Sequence, residues 1–403
     1  MPSRLGPPVR LALASVLASV LVVATLVATL AAPSQAAAQV ARGQVLDPGT
    51  QFALAGATVW LVDSAGGRRV GALTDSTGAF ALIAPVAGRY LLRVQRIGYA
   101  STESEPITLD AGETVAVTLA PPAVPVRLAA VEVRGESRCA LRPGEGTAAF
   151  TVWSEARKAL EATALANEAG LIRATVEDYT RTIDLPRFRA SGEQRTTRTG
   201  VTRAPYASVA PESLATRGFV RQGPQSISYF APDAHVLLAP AFLDRYCLRV
   251  ERPRAGRVGL RFEPVRRGGG RLRRPVAAIG DIAGTLWLDE ASGELQSLTY
   301  RYVGLPESWL IPPRAVDSIG GSVEFARGPT RLWLVRRWRV RGPLLSVAER
   351  GRPGGRVNAQ SGMDTSATQL FEEGGEVVEA RTAGGVLVWQ RGAAAAPPSR
   401  RLR

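Results

Sequence analysis

The chain reads as mainly β: a seven-stranded sandwich near the N-terminus, then an antiparallel β-meander with one main helix laid against it. Three observations predict this. From residue 40 to about 122, short alternating segments are broken at close intervals by Asp/Gly/Pro turn signals. Between Thr151 and Ala169 the pattern switches, with Trp153, Ala156, Leu160 and Ala164 recurring at helical spacing. Beyond Gly170 period-two alternation returns and dominates almost to the C-terminus.

The first 38 residues carry Arg4 and Arg10, an apolar run from Leu11 to Leu30, and small residues around Ala36 and Ala38. A basic start, an apolar centre and a small-residue cleavage site predict a secretory signal peptide. The run is long enough to span a bilayer, so an uncleaved N-terminal anchor is the alternative. Pro33 and the alanine content favour cleavage, after which no transmembrane segment is expected.

Residues 39–122 form the expected sandwich. Strands are predicted at Val40–Val45, Ala57–Val62, Val70–Thr74, Ala79–Ala84, Arg89–Arg96, Ile107–Leu109 and Val115–Leu119. The turn Asp75–Gly78 has a mechanism: Asp75 bonds backbone two residues on and Gly78 takes positive φ, which aims Phe80 inward. Tyr90, Leu92 and Val94 share one face of their strand.

Four phrases carry a resemblance: Gly43-Gln-Val-Leu-Asp, Leu54-Ala-Gly-Ala-Thr-Val, Thr74-Asp-Ser-Thr-Gly-Ala-Phe, and Gly88-Arg-Tyr-Leu-Leu-Arg-Val with Ile97-Gly-Tyr. In this order they resemble the carboxypeptidase regulatory-like domain. The resemblance implies a transthyretin-like (Ig-like) sandwich that serves as an accessory module in exported bacterial proteins and is related in fold to starch-binding modules. Trp60, Tyr90 and Tyr99 would be the residues of a sugar-stacking platform, although Tyr90 has core parity.

Residues 123–137 read as a linker and strand. Val126–Val133 resembles the segment that joins such a module to the plug of TonB-dependent outer-membrane receptors, but the roughly 265 residues that remain are too few for plug and barrel. Residues 138–391 are expected to form a β-rich domain with its helix near 151–169, closed by Gly170 at the C′ position. Strands are predicted at Leu171–Ile183, Phe188–Thr197 and Ala241–Val250, and His235 is placed at a strand start as a structural residue. Ile282, Gly284, Leu286 and Leu288 share a face, as do Leu298, Tyr300 and Tyr302 across the Asp289-Glu-Ala-Ser-Gly turn. That strand–turn–strand resembles the repeating hairpin of bacterial lipoprotein-carrier half-barrels, which implies a half-barrel with room for an apolar ligand. Residues 392–403, rich in Ala, Pro and Arg, read as a disordered tail.

The catalytic inventory is sparse. His235 is the single histidine, so a zinc peptidase that needs two histidine ligands cannot be assembled. No Gly-x-Ser-x-Gly elbow is present, and Lys158, the only lysine, follows no glycine as a Walker A loop requires. No catalytic residue, metal ligand or cofactor is therefore expected. Asp281, Asp289, Glu290 and Glu294 leave a carboxylate-dependent hydrolase as a minor alternative. Cys139 and Cys247 are the only cysteines. In an oxidising compartment they read as one disulfide closing about 108 residues, worth roughly 4–5 kcal/mol by loop entropy; two buried thiols are the alternative.

Charge points to the C-terminal region. Between Gln39 and Pro122 six arginines meet seven acids, while the whole chain carries +15. Two arginine clusters stand out, one containing Arg249, Arg252, Arg254, Arg271, Arg273 and Arg274, the other Arg337 and Arg339 beside Trp338. With export expected, these predict an anionic lipid, acidic glycan or acidic protein as partner rather than nucleic acid; a solvated arginine-rich surface is the plain alternative. The sequence thus predicts an exported, non-catalytic binding or scaffolding protein of the periplasm, outer membrane or cell surface. Carbohydrate binding by the sandwich is the second reading.

Overall fold

The structure, a computed structural model, describes residues 38–124, 128, 148–185, 187–202, 206, 208–223, 226–265, 280–349 and 363–392. The expected signal sequence up to residue 37, most of the linker, Cys139, Arg271, Arg273, Arg274 and the tail beyond 392 lie outside the described residues.

The sandwich pairs two sheets. In one, β1 (Val40–Val45) lies between β4 (Ala79–Ile83) and β8 (Thr114–Leu119), antiparallel to the first and parallel to the second. The other runs β3 (Arg68–Leu73), β2 (Thr58–Asp63), β5 (Gly88–Gln95), with β6 (Thr102–Glu103) and β7 (Ile107–Leu109) both on β5. The seven expected strands are all present, and the two-residue β6 is an eighth. Asp75 Oδ1 accepts from the Thr77 and Ala79 amides at 2.8 and 3.0 Å, and Gly78 sits at φ +73°. The alternation then delivers Phe80, Leu82, Tyr90, Leu92 and Val94 to a buried core.

Helix α1 spans Ala148–Glu168 and ends against Gly170 at φ +60°. Fourteen of its 21 residues are buried, far more than one amphipathic stripe provides. The reason is its position: the large sheet covers one side, while the sandwich and a short helix cover others.

The large sheet has ten strands in the order β10-β9-β19-β18-β17-β16-β15-β14-β13, with β20 (Leu387–Gln390) also on β19. Its members are β9 (Ile172–Asp184), β10 (Arg189–Val201), β13 (Tyr246–Arg254), β14 (Arg257–Pro264), β15 (Asp281–Asp289), β16 (Leu295–Val303), β17 (Gly320–Arg327), β18 (Trp333–Glu349) and β19 (Met363–Thr382). Every pairing is antiparallel, and the sheet does not close: β10 and β13 are its edges. The Asp289 turn repeats the Asp75 device, its Oδ1 accepting from the Ala291 and Ser292 amides ahead of Gly293 at φ +70°.

Between β10 and β13 the structure departs from the sequence reading. It forms α2 (Pro211–Arg217), the small pair β11 (Val220–Gln222) and β12 (Ile227–Tyr229), α3 (Ala234–Leu238) and α4 (Pro240–Leu243). His235 therefore lies in a helix, not at a strand start. Asp233 caps that helix by accepting from the Val236 amide at 2.9 Å, and prolines open α2 and α4 where a missing N–H costs nothing. The expected strand Ala241–Val250 starts only at Tyr246 for the same reason.

Among the described residues the helix-facing side of the sheet is covered by packed side chains. Tyr302 packs on Tyr229 and Tyr300 at 5.5 and 5.7 Å between ring centres, and Phe242 stacks on Tyr246 at 4.1 Å. Two cavities on this side, one against Ile172 and Leu334 and one against Phe242 and Tyr246, hold about 10 Å³ each. That is about the space of one water, so the face a lipid carrier would keep open is occupied by α1 and the short helices.

The sandwich is bolted to α1 by charge. Arg68 Nη1 donates to Glu161 Oε1 at 2.5 Å, Arg157 Nε donates to the same oxygen at 2.6 Å, and Glu161 is 3% exposed. Lys158 Nζ donates to Glu155 at 2.7 Å and to the Tyr99 carbonyl at 3.0 Å. Burial pushes the Glu155 carboxyl up, against the opposing pull of Lys158. One oxygen of each of these two glutamates, Oε2 of Glu155 and of Glu161, is buried at the junction without a hydrogen-bond partner among the described residues.

Candidate anion-binding face

Strand register organises the solvent side of the large sheet into straight rows, because residues paired across antiparallel strands project to the same face. One row crosses nine strands. It starts with Arg249 opposite Arg261, continues through Thr285, Thr299 and Ser322 to Arg339, and ends with Gly374, Tyr179 and Arg195. The row holds four arginines and no carboxylate. Its middle is small and hydroxylated, and at Gly374 the Tyr179 ring lies where a Cβ would be, 2.7 Å from that point.

The flanking rows differ. On one side Glu251, Glu324, Glu376 and Glu177 align with Arg337 among them. Arg337 Nη2 donates to Glu376 at 2.7 Å, Arg336 pairs with Glu324 at 2.6 Å, and Arg391 pairs with Glu177 at 2.7 Å. On the other side Arg301, Arg341, Glu372 and Arg181 align. Glu372 is fully buried and accepts from Arg341 Nε at 2.7 Å, Arg181 Nε at 2.8 Å and Tyr179 Oη at 3.2 Å. Burial alone would raise its pKa, but the two guanidiniums overcome it and hold the carboxyl below its usual range. Among the described residues no carboxylate lies within ion-pair distance of Arg249, Arg301 or Arg339.

Two clefts open on this face. One of about 420 Å³ is lined by Tyr179, Arg195, Ser322, Arg337 and Arg339 together with Glu177, Glu324 and Glu376, each of these acids paired with an arginine, and one of about 250 Å³ by Arg261, Thr285, Thr299, Arg301 and Asp317. They adjoin through the Thr299–Ser322 pair. Of the residues the sequence singled out, Arg249, Arg337 and Arg339 reach this face. Arg252 and Arg254 are exposed at the tip of the β13–β14 hairpin, beyond the rows. Arg261, Arg301, Thr285, Thr299 and Ser322 were not foreseen; only register could have grouped them.

Three of the four carboxylates weighed for hydrolysis are otherwise employed, Glu290 being the exception. Asp281 accepts from the Tyr246 hydroxyl and the Ile282 amide, Asp289 shapes its turn, and Glu294 pairs with Arg327. His235, half-exposed, has Glu168 at 3.5 Å. Cys247 is 7% exposed on β13.

With the sandwich's sheets and turns in view, its relatives can be placed. Residues 40–121 match the carboxypeptidase regulatory-like domain. Among curated proteins none matches the chain. Solved structures similar to parts of it include the minor pilin of Streptococcus agalactiae (21% identity over 25% of this chain and 49% of that one, TM-score 0.19) and a 5-hydroxyisourate hydrolase of Klebsiella pneumoniae (20%, 21% and 87%, TM-score 0.17). A third is the major pilin subunit of Bacillus cereus (17%, 21% and 30%, TM-score 0.18). The chain spans half or less of the two pilins, and at these TM-scores the likeness carries no functional inference.

In the regulatory-like domain the three aromatics do not make a platform. Tyr90 is buried and donates to the Val86 carbonyl at 2.8 Å. Tyr99 donates to Asp47 at 2.7 Å with Arg96 over its ring. Trp60 lies over Gly71, with the Arg68 guanidinium 4.9 Å from its ring centre.

Proposed function

We propose that the chain is an exported, non-catalytic envelope protein that binds an anionic component on the solvent face of its C-terminal sheet. The regulatory-like domain is its rigid support, held to α1 by the Arg68–Glu161 and Lys158–Glu155 contacts. The observation that carries this reading is the nine-strand row with four arginines and no carboxylate of its own; Arg195 and Arg261 are paired with Glu193 and Glu263 of a neighbouring row, while Arg249 and Arg339 have no carboxylate within ion-pair distance among the described residues. Export rests on the N-terminal basic and apolar segments, and the Cys139–Cys247 disulfide belongs to the same reading. No cofactor is invoked.

A basic protein sticks to any polyanion, so the test uses variants of equal net charge. Protein starting at Gln39 is eluted from immobilised heparin by salt. Arg301→Ala with Arg339→Ala is expected to elute at clearly lower salt, while Arg42→Ala with Arg89→Ala, both exposed on the sandwich, elutes close to the parent. Equal shifts for the two pairs refute the assignment of binding to this face.

A further inference from the structure

We infer that the occupant of this face is a single extended acidic glycan chain lying across the strands, an assignment that rests on the anion-binding reading above. The first reason is width. The arginine row is flanked on one side by Glu251, Glu324, Glu376 and Glu177. An anionic bilayer would press on that whole acidic row as well as on the arginines, whereas a ligand one chain wide can follow the arginine row and meet the acids only at the cleft walls, where Glu324, Glu376 and Glu177 are paired with Arg336, Arg337 and Arg391; the acids select against the broad surface. The second reason is length. Eight strand spacings separate Arg249 from Arg195, about 38 Å along the sheet, and both clefts lie on this path.

The floor specifies the chemistry. Thr285 is 8% exposed and its hydroxyl has no hydrogen-bond partner among the described residues. Its methyl lies toward Gly259, 2.9 Å from where a Cβ there would stand, so the hydroxyl is left to the smaller cleft. The hydroxyl is not among the sealed, unpartnered polar atoms and faces the cleft, so a hydroxyl-bearing ligand can bond it in place of water. Thr299 already accepts from Trp287 Nε1 at 3.2 Å, which leaves its hydroxyl proton for the ligand. Arg301 and Arg339, without a carboxylate in ion-pair distance among the described residues, stand on either side of Ser322 and can each take a carboxylate or sulfate in two parallel hydrogen bonds. An acidic peptide is the poorer fit. Crossing the strands at right angles it meets only backbone that is already paired, and the middle of the floor, Thr285, Thr299 and Ser322, presents hydroxyls rather than apolar recesses for alternate side chains.

The probes are oligogalacturonates from tetramer to octamer, vesicles containing phosphatidylglycerol, and poly-glutamate. Affinity for oligogalacturonate is expected to rise with length by about tenfold or more and to exceed that for the other two. Ser322→Phe and, separately, Thr299→Phe fill the path without changing charge; each should weaken octamer binding by about tenfold or more at an unchanged melting temperature. Phe variants that bind the octamer like the parent, or tighter binding of vesicles or poly-glutamate, overturn the glycan assignment. If Arg301→Ala/Arg339→Ala weakens every probe equally while the Phe variants do nothing, the anionic face stands and the glycan falls. If that double variant behaves like Arg42→Ala/Arg89→Ala with all probes, both fall.

Discussion

Replacing Glu161 with alanine tests how firmly the regulatory-like domain is fixed to the rest of the chain. The carboxylate is 3% exposed and receives Arg68 from the sandwich and Arg157 from its own helix. Removing one member of a buried ion pair costs about 3–5 kcal/mol because the other charge stays behind unpaired. Here the Arg68 and Arg157 side chains are 20% and 41% exposed, and Arg68 keeps Gln95 Oε1 at 3.1 Å. Water can therefore recover part of the loss, which brings the expected cost to about 2–3 kcal/mol. Urea denaturation followed by tryptophan fluorescence measures it, and a cycle with Arg68→Ala should return a coupling of about 1–2 kcal/mol. A loss below about 0.5 kcal/mol, or strict additivity in the cycle, would show that the bridge does not hold the two parts together.

Other expectations follow from the same geometry. Gly56→Ala puts a Cβ at φ +67° and 2.6 Å from the Arg331 carbonyl oxygen across the junction; the left-handed conformation alone costs about 1–2 kcal/mol, visible as a lower melting temperature. Glu372 has a depressed pKa in the folded state, so its contribution is present above the unfolded carboxylate pKa of about 4.3 and is lost as pH falls through the lower folded value. Glu372→Gln should therefore destabilise at neutral pH and flatten the acid limb of a stability–pH curve; an unchanged acid limb contradicts the assignment. Tyr229→Phe removes a 2.7 Å hydrogen bond to the Pro343 carbonyl and should cost about 1–2 kcal/mol in chemical denaturation.

What could be read from the chain divides by range. The Asp75 and Asp289 turns bond within four residues of themselves, and α1 declares itself by spacing, so both were legible and both formed. The burial of Lys158 and Glu161 was not, because their partners Tyr99 and Arg68 are 59 and 93 residues away. The short helices between β10 and β13 were lost among mixed polar and apolar residues, where a cap at Asp233 and two prolines decide the backbone. For the candidate face, density of arginine along the chain was a partial guide. It found Arg249, Arg337 and Arg339 but added Arg252 and Arg254, which a register shift and the hairpin turn carry off the row. It missed Arg301 and the hydroxyl floor, since a row is written one residue per strand and has no local signature.

That way of writing the row constrains how the protein can diversify. A substitution at Thr285, Thr299 or Ser322 edits one place in the floor and leaves the other strands untouched. A one-residue insertion within β15, β16 or β17 would instead exchange that strand's floor residue for a neighbour such as Leu286, Leu298 or Val323 from the packed side, all three buried. Lineages of this chain should therefore vary the face by point replacement while strand lengths across its middle stay constant, with insertions and deletions gathering in the hairpin tips.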